Sequence, residues 1–141
     1  MAKTKAHTAY KLKDGSRVKG VTTILNNLGW NKNVLVAWAR RTALAGDDPQ
    51  AVLKEAGAIG TLAHYLCECD IKDIKADTSD YSAEQIEKAE NAFLGYLEWK
   101  KMTKPQYEAI ELKMVSEQYK VGGTADFVAR INGALVLGDF K

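Results

Sequence analysis

Asn132-Gly133 lies between Ile131 and Ala134, and Asn-Gly suits a two-residue hairpin turn because both central positions need positive φ. Such a turn fixes register. Ile131 then faces Ala134, Arg130 faces Leu135, and further out Asp126 faces Asp139. Directly opposed residues share one face of a sheet with Cβ atoms about 4.5–5.5 Å apart. Two carboxylates at about 5 Å repel by roughly 3 kcal/mol at an effective dielectric near 20, so a cation is expected between them. Lys141 stands two residues beyond Asp139, and strand alternation points it to the same face. Two oxygen donors at close range suit a hard divalent ion such as Mg²⁺ or Mn²⁺, which keeps several waters. Such an ion lowers the pKa of a bound water and polarises a phosphoryl oxygen, while a neighbouring lysine orients or deprotonates the nucleophile. The chemistry this set would do is phosphodiester hydrolysis.

The elements that must position these residues read as helices first and strands second. Tyr10-Lys11-Leu12 and Arg17-Val18-Lys19 flank Asp14-Gly15-Ser16 as a short hairpin. Val21 to Leu25 leads into a short helix ending near Gly29, and Val34 to Leu44 repeats apolar residues at helical spacing until Gly46. Asp48-Pro49 is a helix start, with Asp48 as cap and Pro49 at the first position, opening a helix to about Asp70. Ser82-Ala83-Glu84-Gln85 resembles a capping box for a helix over 82–101, with Ile86, Ala89, Phe93 and Leu97 on one face. Pro105 ends it. Strands follow from Tyr107 to about Tyr119, a break is expected at Gly122-Gly123, and the hairpin strands run Thr124–Ile131 and Ala134–Lys141. Apolar residues lie on both faces of that hairpin, Val128, Leu135 and Leu137 beside the aspartates and Phe127, Ala129, Ile131 and Val136 opposite. The pattern suits a sheet covered on both sides.

Composition narrows the class. The chain has 141 residues, 46% hydrophobic and 27% charged, with two prolines and eleven glycines, which argues against disordered, collagenous and repeat architectures. A net charge of +2 is too small to imply a nucleic-acid partner by bulk electrostatics, so such a partner must be argued from a site. No apolar stretch reaches membrane-spanning length and none follows the basic N-terminus, so a cytoplasmic location with no membrane partner is expected. Cys67 and Cys69, with no second pair, are read as reduced structural thiols.

Gly123-Thr124-Ala125-Asp126 followed, after a gap, by Asp139-Phe140-Lys141 resembles the G-x-x-D and (D/E)-x-K motifs of the PD-(D/E)XK nucleases, closest to the RecB-type and phage exonuclease branch. Gly20-Val21-Thr22-Thr23-Ile24-Leu25, Trp38-Ala39 and Gly60-Thr61-Leu62-Ala63-His64 look like the N-terminal half of phage-encoded members. The resemblance implies a restriction-endonuclease-like α/β/α sandwich, with a helical N-terminal half and a mixed sheet carrying a central hairpin. It implies a Mg²⁺- or Mn²⁺-dependent deoxyribonuclease acting on DNA, an exonuclease of phage recombination or repair type working with a recombination partner protein. The implied catalytic residues are Asp126, Asp139, Lys141 and a glutamate, Glu111 before Glu117. His64 would join Asp126 and Asp139 as a metal ligand, with Gly57, Gly60 and Thr61 beside it permitting close approach to a sheet. The family continues past the lysine into a helix carrying Gln-x-x-x-Tyr, so residues 1–141 are expected to be one nuclease domain lacking its C-terminal part.

Other readings stand beside this one. The chain could be a catalytically inactive nuclease-fold module that binds DNA or a protein, or a structural domain in which Lys141 neutralises the aspartate pair. Trp30, Trp38 and Trp99 could stack on bases or fill core and rim positions. Lys100, Lys101, Lys104, Arg40 and Arg41 could contact phosphates or solvate helix ends.

Overall fold

The computed structural model describes residues 9–29 and 32–140. They form a mixed α+β structure whose residues divide into two compact units, Asn33–Lys104 and the described parts of 5–32 with 105–141. The first is helical. It holds α2 (Lys32–Leu44, its first residue apart), α3 (Pro49–Ile71) and α4 (Ala83–Thr103). The second holds β1 (Tyr10–Lys11), β2 (Arg17–Gly20), α1 (Val21–Leu28), β3 (Gln106–Ser116), β4 (Val121–Ile131) and β5 (Ala134–Gly138).

Local chemistry sets the helix ends as expected. The Asp48 carboxylate accepts the Gln50 N–H with Pro49 at the start of α3. Ser82 and Gln85 form the reciprocal capping box of α4, and α1 closes on Gly29 at φ +67°, a conformation glycine reaches without Cβ strain. Helices α3 and α4 run parallel, because the amide of Gln85 meets Glu55 near their starts while Lys100 and the Tyr96 hydroxyl meet Asp70 near their ends, at 2.6 and 2.8 Å. The connecting segment returns along α3, where the Tyr65 hydroxyl accepts the Asp77 N–H at 3.3 Å. Leu62, Cys67, Cys69, Ala89 and Tyr96 are buried in this unit.

The sheet is built on β4. β3 pairs antiparallel along its whole length on one edge. β2 pairs parallel with Val121 and Gly122, and β5 pairs antiparallel with Phe127–Ile131. A strand has two edges, so β2 and β5 share the remaining one. Residues 123–126 on that edge lie past the end of both partners, and at about 3.3 Å per residue the gap is about 13 Å long.

Three expectations change here. Gly122-Gly123 do not break the strand, since β4 runs through them. The reason is tertiary: the Tyr10 ring lies on Gly122, where an added Cβ would come within 2.2 Å of it. The return strand stops at Gly138 rather than Lys141, because the Phe140 N–H donates to the Asp126 carboxylate at 2.7 Å instead of to a backbone carbonyl. The third concerns burial. Ala125, Phe127 and Ala129 are buried on one face of the hairpin, whereas on the aspartate face Leu135 and Leu137 are 59% and 62% exposed.

Candidate active site

The Asn-Gly hairpin has the expected register, from Ile131 opposite Ala134 to Phe127 opposite Gly138. One step further come Asp126 and Asp139. Asp139 lies just past the end of β5, and two anchors hold it beside Asp126. The first is the Phe140 N–H bond to the Asp126 carboxylate. The second is aromatic: Phe127 packs against Phe140 with centroids 5.1 Å apart and edge-on to Tyr107 at 5.6 Å. Its ring lies across Gly138, where a Cβ would sit 1.9 Å away. Glycine there lets the ring cross the strand and grip the next residue but one.

Glu111 enters from the other side of β4. It falls between the ladder pairs Ile110 with Phe127 and Leu112 with Ala125, level with Asp126. That register depends on a bulge between Tyr107 and Ala109, next to Glu108, whose carboxylate pairs with Arg130 at 2.6 Å. Glu111 has φ +52°, a left-handed backbone that costs a residue with a Cβ roughly 1–2 kcal/mol. Strain of this kind concentrates where surrounding structure or function demands it.

A cleft of about 830 Å³ opens at the gap in the β4 edge. The C-terminal ends of β2 and β5 point toward each other there, one chain leaving into α1 and the other into Asp139. Glu111 and Asp139 bring carboxylates to its lining, and Tyr10, Thr22, Thr23, Asn26 and Thr124 supply neutral polar groups. The Tyr10 and Thr124 hydroxyls are 2.9 Å apart. Tyr10 is brought in by the β1–β2 hairpin, whose turn is tied by Asp14, accepting from the Ser16 N–H at 2.8 Å and the Ser16 hydroxyl at 2.6 Å. The Ser16 hydroxyl, and then its N–H, hold the Asp14 carboxyl below the usual carboxylate range.

The residues singled out from sequence are distributed as follows. The Asp126 carboxylate meets the Phe140 N–H, next to Asp139, and Glu111 is level with Asp126 in the sheet. Glu111 and Asp139 line the cleft, and Asp126 is not among its lining residues. Glu117 is engaged elsewhere, accepting the Lys13 N–H at 2.8 Å and pairing with Lys120 at 3.8 Å, so of the two glutamates Glu111 is the one in the cleft. His64 is exposed on α3 in the helical unit. An added Cβ at Gly57 or Gly60 would meet nothing within 4 Å. Lys141 and Trp30 lie outside the described residues. Trp99 continues an aromatic row on α4, with Phe93–Tyr96 and Tyr96–Trp99 centroids 5.6 and 6.2 Å apart, and Trp38 is half-buried on α2. Lys100 is committed to Asp70, whereas Arg40, Arg41, Lys101 and Lys104 are exposed. Among the described residues no group of three or more His, Cys, Asp or Glu is placed to hold a metal ion, and no helix is long and apolar enough to cross a membrane.

Sequence reasoning missed Tyr10 and Thr124. A Tyr two residues before a turn carries no local sign of a partner 114 positions away.

Comparison with protein-family models, with curated proteins and with solved structures returned no match to this chain.

Proposed function

We propose that the chain is a PD-(D/E)XK-type nuclease of restriction-endonuclease-like fold, hydrolysing DNA phosphodiester bonds with Mg²⁺ or Mn²⁺, as an exonuclease of phage recombination or repair type. The observation that carries the reading is the Phe140 N–H bond to the Asp126 carboxylate, which ties Asp126 to the residue next to Asp139, itself in the lining of the cleft. Glu111, level with Asp126 and backbone-strained, supports it.

The donor chemistry fits the metal. Mg²⁺ is commonly held by one or two carboxylates plus waters and substrate phosphates rather than by an all-protein cage. Asp126 and Asp139 supply that number, so the lack of a larger described cluster does not oppose the reading. A bound ion would acidify a water and polarise the phosphoryl oxygen. The protein's own contributions are positional. The Phe140 N–H orients one oxygen of Asp126, and Phe127 clamps the segment that carries Asp139. For Lys141, which lies outside the described residues, the resemblance implies the proton-handling and charge-offsetting role.

Degradation of linear DNA in Mg²⁺ or Mn²⁺ tests the proposal, run with the wild type, Asp126→Asn and Asp139→Ala. Metal-dependent loss of substrate in the wild type, at least a hundredfold slower in both variants, is expected. Equal rates in all three, or degradation undiminished by chelator, would refute it. DNA binding with no cleavage and no metal-induced stabilisation would instead identify an inactive binding module.

A further inference from the structure

Tyr10 and Thr124 line the cleft and share a hydrogen bond. The absence of a side chain at Gly122 lets the Tyr10 ring lie on β4 and carry its hydroxyl along the strand to Thr124. Thr124 is two residues from Asp126, and period-2 alternation sets the two on one face. Each hydroxyl has one proton and two acceptor lone pairs. One proton makes the bond between them, so the pair retains one O–H donor. Neither hydroxyl has another hydrogen-bond partner among the described residues. The polar lining is divided in kind, with neutral groups on Tyr10, Thr22, Thr23, Asn26 and Thr124 and anionic groups on Glu111 and Asp139.

We infer that the Tyr10–Thr124 hydroxyl pair binds a non-bridging oxygen of a phosphodiester in this cleft. The ligand class rests on the nuclease reading. The divided lining supports it: one phosphate oxygen meets a neutral donor, while the other faces the carboxylates across a cation. A carboxylate-only cleft would repel a bare phosphate, and a neutral O–H attracts one without neutralising the acidic residues that hold the cation. A hydrogen bond between a neutral donor and a charged acceptor amounts to about tenfold or more in affinity.

The probe is the dinucleotide thymidylyl-thymidine, titrated by NMR into the wild type, Tyr10→Phe, Thr124→Val, the Tyr10→Phe/Thr124→Val double variant and Thr124→Ser, in Mg²⁺ and in chelator. Tyr10→Phe keeps the ring on Gly122 and Thr124→Val keeps the side-chain shape, so the fold is retained. Each of these two single variants leaves one O–H donor no longer oriented by its neighbour and is expected to weaken binding a few-fold. The double variant, which removes both protons, is expected to weaken it about tenfold, and Thr124→Ser, which restores a hydroxyl, to match the wild type. Equal affinity in all five proteins, or no binding to the wild type in either buffer, overturns the inference. Dinucleotide binding that follows Tyr10 without hydrolysis of DNA in Mg²⁺ or Mn²⁺ supports the hydroxyl pair and removes the nuclease reading. DNA hydrolysis at wild-type KM and kcat in Tyr10→Phe does the reverse.

Discussion

Gly122→Ala is expected to be costly for a reason specific to this chain. Gly122 does not have a positive φ, so alanine is conformationally acceptable there and would ordinarily stabilise a strand by roughly 0.5–1 kcal/mol over glycine. The added methyl would instead meet Tyr10 at 2.2 Å from Cγ, 2.4 Å from Cβ and 2.5 Å from Cδ1. Atoms at such distances must separate by more than 1 Å, and overpacking of this kind costs about 1–3 kcal/mol. Moving the ring also breaks the Tyr10–Thr124 bond, a further loss of about 1 kcal/mol. The sum is about 3 kcal/mol, measurable as a lower midpoint in urea unfolding followed by circular dichroism with unchanged slope. A double-mutant cycle isolates the cause. Its second background must be Tyr10→Gly, because Tyr10→Ala would leave the Cβ that itself lies 2.4 Å away. With Tyr10→Gly in place, Gly122→Ala should be neutral or slightly stabilising, giving a coupling of about 3 kcal/mol. A cost below about 0.5 kcal/mol in the wild type, or the same cost in both backgrounds, would refute the packing argument.

Three further outcomes follow from particular residues. Glu111→Gly relieves the left-handed backbone at φ +52° and should raise stability by about 1 kcal/mol in urea unfolding while lowering metal-dependent DNA cleavage; a loss of stability would contradict the strain assignment. The Asp14 carboxyl is held below its ordinary range by Ser16, so its contribution is fully present above the unfolded-state value of about 3.9 and disappears as pH falls through the lower folded value. Asp14→Asn should therefore flatten the acid limb of the stability profile, and an unchanged limb would count against it. Finally, the resemblance implies a ligand role for His64; His64→Ala should then reduce the rise in melting temperature produced by Mn²⁺, whereas an identical rise would assign the metal to the carboxylates alone.

Much of the site was legible because its determinants are local. The Asn132-Gly133 turn and the period of two fix which residues of β4 and β5 oppose one another, whatever surrounds the hairpin. Helix caps at Asp48 and Ser82 are similarly short-range, each a side chain bonding to backbone two or three residues on. Glu111 was only half legible. Its level with Asp126 depends on the bulge beside Glu108, which shifts the register by one residue, and a bulge leaves no period in sequence to read.

What the sequence determined by itself is the pairing of β4 with β5 from Ile131–Ala134 to Phe127–Gly138, since a two-residue turn leaves the chain no other register. Tertiary structure decided the rest of the site. Gly122-Gly123 reads locally as a break, yet it continues β4 because an aromatic ring from β1 packs where the side chain is missing. The cleft exists because two strands distant in sequence, β2 and β5, divide one edge of β4 and stop short of each other. Hydrogen bonding between strands is set by the assembled sheet, so no segment read alone encodes where such a gap falls.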